Sequence, residues 1–212
     1  MEGRGPGALS RRAVRGPAAV AFALLLGSPA AWAAVREGTP ESPDLAPRNV
    51  QFTHLTGEEG LSQALVSDLV QDGRGFVWIA TQEGLNRFDG YDVRVYEQRR
   101  GDPRTLPHDF VRVLSVDRDG RLWAGTDGGA ARYDGSRDDF DRRPFGAAVP
   151  LDEPVRAFAH TRDGAHWIGT AGAGLLRVDA DGNSRRYRRD AGDPASLPDD
   201  TVLALHEDDA GN

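Results

Sequence analysis

From about residue 50 onward, short apolar runs alternate with turns of Gly and Asp, and the alternation itself repeats. Three runs, Val66-Ser-Asp-Leu-Val-Gln-Asp72, Val111-Arg-Val-Leu-Ser-Val-Asp117 and Val155-Arg-Ala-Phe-Ala-His160, are β-prone and are closed by an acidic turn. A fourth opens at Val202-Leu-Ala-Leu-His-Glu207. Runs this short, rich in Val, Leu and aromatics and bounded by turn residues, predict strands; an amphipathic helix needs a longer stretch with a period of about 3.6.

A Trp follows each of the first three runs, inside a fixed frame. Trp78 and Trp123 are 45 residues apart, and Trp123 and Trp167 are 44 apart. The first frame reads Gly75-Phe-Val-Trp78-Ile-Ala-Thr81, then Gly84-Leu-Asn-Arg87-Phe88-Asp89. The second reads Gly120-Arg-Leu-Trp123-Ala-Gly-Thr126, then Gly129-Ala-Ala-Arg132-Tyr133-Asp134. The third reads Gly164-Ala-His-Trp167-Ile-Gly-Thr170, then Gly174-Leu-Leu-Arg177-Val178-Asp179, with one residue inserted before Gly174. Linkers recur as well: Gly101-Asp-Pro-Arg-Thr-Leu-Pro107 matches Gly192-Asp-Pro-Ala-Ser-Leu-Pro198. Three or four short strands in about 45 residues is the spacing of a four-stranded propeller blade, which must be covered by its neighbours. The predicted fold is therefore all-β: a β-propeller with about three complete four-stranded blades plus the start of a fourth, an incomplete ring. Blade boundaries fall at about 51–106, 107–150, 151–196 and 197–212. Trp78, Thr81, Gly84, Trp123, Thr126, Gly129, Trp167, Thr170 and Gly174 are its structural signature. A Trp suits packing between blades, and a strand Gly allows close approach of backbones.

The frame D-x-x-G-x-x-W-x-G-T-x-x-G-L-x-R-[FY]-D resembles the two-component regulator propeller repeat. Phe52-Thr-His-Leu55 and Glu59-Gly-Leu-Ser62 resemble that family's lead into its first blade. Ala80 replaces Gly in the first frame, Ala130 replaces Leu in the second, and Val178 replaces the aromatic in the third, all conservative for packing. The resemblance implies an extracytoplasmic sensor region, with more blades, a membrane helix and an output domain, a histidine kinase or diguanylate cyclase, elsewhere in the full-length protein. The chain then reads as an N-terminal fragment whose partners are the remaining blades, that output domain and an unidentified extracytoplasmic ligand, a glycan among the candidates.

The N-terminus adds a compartment. Arg4, Arg11, Arg12 and Arg15 precede an apolar run, Ala18 to Leu26, and a small-residue stretch in which Ala31-Trp32-Ala33 is a cleavage motif. These are the three parts of a secretory signal peptide over 1–33, cut between Ala33 and Ala34. The apolar run is shorter than the roughly 20 residues of a spanning helix, with a retained anchor as the alternative. A polar, Pro-rich leader follows over 34–50, and 51–212 holds the repeats. The expected location is the periplasm, with the full-length protein anchored in the inner membrane.

Composition narrows the chemistry. A net charge of −7 with no concentrated basic surface argues against nucleic acid. The chain has no Cys, so disulfide and thiolate chemistry are excluded. Gly169-Thr-Ala-Gly172-Ala-Gly174 lacks the strand-to-helix context of a dinucleotide loop and reads as a turn between strands. Asp117-Arg-Asp119-Gly120 and Asp179-Ala-Asp181-Gly-Asn183 miss the calcium-loop spacing and read as hairpin turns. His54, His108, His160, His166 and His206 form no recognisable zinc pattern, although His160 and His166 flank a predicted turn. Glu83 and Asp92 are read as surface acids. No catalytic, cofactor or metal residue is assigned, and the expectation is a non-enzyme. Three functions remain: a sensor input module, a secreted or periplasmic scaffold without output, and a propeller enzyme acting on polysaccharide.

Overall fold

The apolar runs do become strands. In the structure, a computed structural model that describes residues 54–211, the first sheet is β1 (Val66–Gln71), β2 (Val77–Thr81), β3 (Gly84–Phe88) and β4 (Val93–Tyr96). The second is β5 (Val111–Val116), β6 (Leu122–Thr126), β7 (Gly129–Asp134) and β8 (Asp139–Asp141). The third is β9 (Val155–His160), β10 (His166–Thr170), β11 (Leu175–Val178) and β12 (Ser184–Tyr187). Each sheet is a four-stranded antiparallel meander in chain order, and no helix occurs among the described residues. The expected signal segment 1–33 with Ala33 and Ala34, the leader 34–50 and the opening residues 51–53 lie outside the described residues.

Successive blades stack through their first strands, β1 beside β5 and β5 beside β9. The hydrophobic cores therefore lie between blades. One joins Trp78, Leu85 and Tyr96 of the first blade to Val111, Leu122 and Phe140 of the second. The other joins Trp123 and Ala130 of the second to Val155, Phe158, Ile168 and Val178 of the third. This is the division of labour expected of a quasi-one-dimensional repeat, in which neighbours bury what a single unit cannot.

The glycine of the W-x-G-T frame lies in this interface. A Cβ on Gly125 would come within 2.6 Å of Val113 and 2.8 Å of Val155 of the next blade. A Cβ on Gly169 would meet Val202 at 2.9 Å. The first blade carries Ala80 at this place, fully buried.

Two features vary along the repeat. Trp78 and Trp123 are fully buried, but Trp167 is only half-buried. The next blade covers the first two: Tyr133 lies 4.7 Å from Trp78, and His166 lies 5.1 Å from Trp123. Trp167 meets Tyr187 of its own blade, and no aromatic of a following blade among the described residues. The fourth run, read as the start of a fourth blade, forms an isolated bridge from Thr201 to Ala171, with Val202 N–H donating to Thr170 O. It lies against the third blade without a second strand of its own to extend a ladder. The ring is not closed.

Candidate functional site

The signature Thr and Gly build one device three times. Thr81, Thr126 and Thr170 each donate a hydroxyl proton to the carbonyl of the frame glycine, Gly84, Gly129 and Gly174, at 3.0, 2.8 and 2.7 Å. Each hydroxyl oxygen also accepts a backbone N–H from within the turn, from Glu83, Gly128 and Ala173. The glycines have φ of 123°, 125° and 79°, which L side chains avoid, and a Cβ on Gly129 would lie 1.9 Å from Leu151 O. The turn is in turn bonded to the linker into the next blade: Gly84 N–H donates to Asp109 O, Ala130 N–H to Leu151 O and Gly174 N–H to Asp200 O. These buried residues hold the blades together and do not converge on a pocket.

The Trp residues are held by two further members of the frame. The indole N–H of Trp78 donates to Asp72 and that of Trp123 to Asp117, each at 2.9 Å. The other oxygen of each Asp accepts two turn amides, from Arg74 and Phe76 and from Asp119 and Arg121. Asp179 Oδ1 likewise accepts the amides of Asp181 and Asn183. Both Asp-Gly segments are thus turn-capping structures. Directly across the β2–β3 type ladder from each Trp stands the frame arginine, Arg87, Arg132 or Arg177. Its guanidinium lies 5.5–5.9 Å from the Trp ring centre, within cation–π range.

A polar cleft of about 360 Å³ lies between the outer strands of the first two blades. Its floor is a knot around Asp138, a non-glycine residue at φ 58° in the turn before β8. Asp138 Oδ1 accepts the hydroxyls of Tyr96 at 2.6 Å and Tyr133 at 2.5 Å and a proton from Arg87 at 3.3 Å. Arg94 pairs with Oδ2. Burial raises the Asp138 carboxyl pKa, but the two hydroxyls and the two guanidinium groups outweigh it and hold the group below its ordinary value. Burial, then the bond to Asp138, push the Tyr96 phenol far up, so it remains a donor. The cleft wall is the linker 97–105, clamped to the second blade by Phe140 N–H to Arg104 O and by Arg142, which donates to Thr105 O and Leu106 O. Arg94, Arg99, Arg104 and Arg137 line it.

Two other clusters were not legible beforehand. His160 and His166 stand opposite each other across the β9–β10 hairpin, with their Nδ1 atoms 2.7 Å apart. Burial and then His166 push His160 down to about 4, against the pull of Asp117. The register of the hairpin around the turn at 161–165 was the signal that would have paired them. Nearer the first strands, Asp127 takes a two-pronged contact from Arg112, at 2.7 Å to each oxygen, and a third from Arg156 at 2.8 Å. The hydrogen bond from Arg112 leads the causes that hold Asp127 at about 2, and Arg156 adds to it. This cluster crosses from the second blade to the third. Glu83 and Asp92 are exposed, as expected. No group of three or more His, Asp or Glu side chains suited to a metal occurs among the described residues.

Against known proteins, residues 105–128 match the family model described as two component regulator propeller. A segment of 58 residues, 27% of this chain, is 38% identical to Histidine kinase P4 of Formosa agariphila and covers 4% of it. Among solved structures, the extracellular domain of the hybrid two component system BT3049 of B. thetaiotaomicron superposes with a TM-score of 0.62 at 24% identity, over 73% of this chain and 22% of that one. The extracellular domain of the one component system BT4673 gives 0.60 at 18% identity, over 73% and 20%. The chain thus spans about a fifth of these extracellular domains and a far smaller share of the kinase. Residues 105–128 run from the loop before β5 through Gly120–Thr126, the Trp123 half of the frame, and stop before Gly129; these elements recur in the blades on either side. The second blade thus carries a match to the two component regulator propeller repeat, and its strand and Trp pattern recurs in the first and third.

Proposed function

We propose that this chain is the ligand-binding input region of an extracytoplasmic sensor, whose propeller biases a histidine kinase or diguanylate cyclase across the membrane. The observation that carries the reading is the repeat match inside the second blade. The 58-residue likeness to a histidine kinase and the fold shared with extracellular domains of signalling systems support it. In this reading the chain binds and does not catalyse, and residues 1–33 direct it out of the cytoplasm.

Physically, the propeller suits the task because its blades are locked by side chains that leave little freedom. Ser67 Oγ donates to Val111 O, and Leu114 N–H donates to Asp68, tying the first strands of two blades. A ligand bridging two such blades meets a preorganised surface and loses little affinity to ordering it. Further blades of the same repeat are the natural cover for β1, where Val66 and Leu69 are exposed although their counterparts Val111, Leu114, Val155 and Phe158 are buried.

The test uses the full-length gene product in its own host. Deleting residues 66–187 should abolish the response to the inducing signal while leaving basal output, and a phosphatase reporter fused after residue 50 should be active only outside the cytoplasm. N-terminal sequencing of the exported protein should start at Ala34. An inactive reporter, or a response that survives the deletion, overturns the reading.

A further inference from the structure

The linker between the first two blades has a twin, and the comparison separates residues that build the loop from residues that do not. In the first copy Gln98 N–H donates to Asp109, Arg99 N–H to Thr105 Oγ1 and Arg104 N–H to Asp102. In the second, Arg189 N–H donates to Asp200, Asp190 N–H to Ser196 Oγ and Ala195 N–H to Asp193. The loop is therefore the same fold, held by the same backbone and hydroxyl bonds. The side chains of Arg99 and Arg104 take no part in it; the twin has Asp190, whose Oδ1 accepts the Gly192 amide, in place of Arg99, and Ala195 in place of Arg104.

Both arginines line the cleft between the blades. Arg104 also lines the adjoining hollow of about 370 Å³, with Arg137, Arg142 and Arg143. The other charges, Glu97 apart, are answered. Arg87 and Arg94 pair with Asp138, Arg137 with Asp134 and Asp139, and Arg143 with Asp152. Arg142 is spent on the carbonyls of Thr105 and Leu106. Asp102 caps the amide of Arg104. The guanidinium groups of Arg99 and Arg104 have no carboxylate partner among the described residues. Their loop backbone is fixed on both sides, so two exposed, fork-shaped donors are presented from defined positions.

We propose that this cleft binds a ligand through an anionic oxygen group, a carboxylate or a sulfate, held by Arg99 and Arg104. Planar guanidinium forks match such groups with paired, charge-assisted hydrogen bonds. Glu97, at the cleft edge, disfavours a bare polyanion and favours a ligand carrying hydroxyl donors beside its anionic group. The proposal does not depend on a signalling role.

The test is calorimetric titration of the 212-residue chain with malate and, separately, with inorganic sulfate. The variant R99D/R104A copies the twin loop, whose fold is known to tolerate those residues; circular dichroism checks that it is intact. Saturable binding of either probe, weakened about tenfold or more in the variant and unchanged in Arg100→Ala, supports the site. Which probe binds tells carboxylate from sulfate. No saturable binding of either up to about 50 mM, or binding that the variant keeps, overturns it.

Discussion

At His160 a buried imidazole shares one hydrogen bond with a second imidazole, and its Nε2 has no partner. We assign the proton to Nδ1 of His160, since a proton on Nε2 would be a buried donor without an acceptor. Charging His160 puts that proton there, in a buried place where desolvation and then His166 oppose it. Asp117 is the acid that favours the charged form, and it is already occupied by Trp123 and two amides. With a folded pKa of about 4, below the ordinary 6.5, the unfolded chain takes up a proton that the folded chain refuses. The His160 contribution to stability should fall as pH drops from 6.5 toward 4 and level off below, by roughly 3 kcal/mol at most. Urea midpoints across that window should slope less in His160→Leu; an equal slope would contradict the account. Asp138 makes a second case. Asp138→Ala leaves two buried hydroxyls and two arginines without their acceptor and puts Ala at positive φ, for a loss of about 2–4 kcal/mol. Asp138→Asn keeps an acceptor and tolerates the backbone, so its loss by the same measurement should be smaller.

At the scale of the element, the Thr–Gly hairpin joins each blade to the linker that starts the next. Gly129→Ala drives a Cβ into Leu151 O and should cost about 3 kcal/mol or more, whereas Gly120→Ala, at φ 76° with open space around it, should cost about 1–2 kcal/mol. Thermal unfolding of the two variants separates contact from backbone strain, and similar losses would refute the close approach. Likewise Trp123→Ala should cost about 3–5 kcal/mol and Trp167→Ala clearly less, because only the former is enclosed by a following blade. The strands, their order and the Trp frame were readable because each is written locally, in runs of five or six residues and turn dipeptides. The Asp138 knot was not, because Arg87, Tyr96 and Asp138 meet only when one blade is laid on the next. The difference between Trp167 and its sisters has the same origin: the frame is local, but burial is supplied by a neighbour.

For the molecule as a whole, interfaces between blades carry the cohesion, so an uncovered blade face is adhesive. Leu65 and Leu69 are 58% and 64% exposed on the first blade, on or beside β1. The 212-residue chain should self-associate, and Leu65→Glu with Leu69→Lys should shift it toward monomer in sedimentation velocity without lowering its melting temperature. An unchanged distribution would mean that this face is not sticky. The twin loops carry a further consequence. They follow the first and third blades, ninety-one positions apart at Gly101 and Gly192, while the linker after the second blade, 142–154, is of another kind. Strand order and Trp recur in all three described blades, but the Gly-Asp-Pro loop follows the first and third, and after the first it walls a cleft. A gene copied in blade pairs would inherit that alternation, with the walls kept for folding and their free side chains, such as Arg99 and Arg104, open to drift toward different ligands.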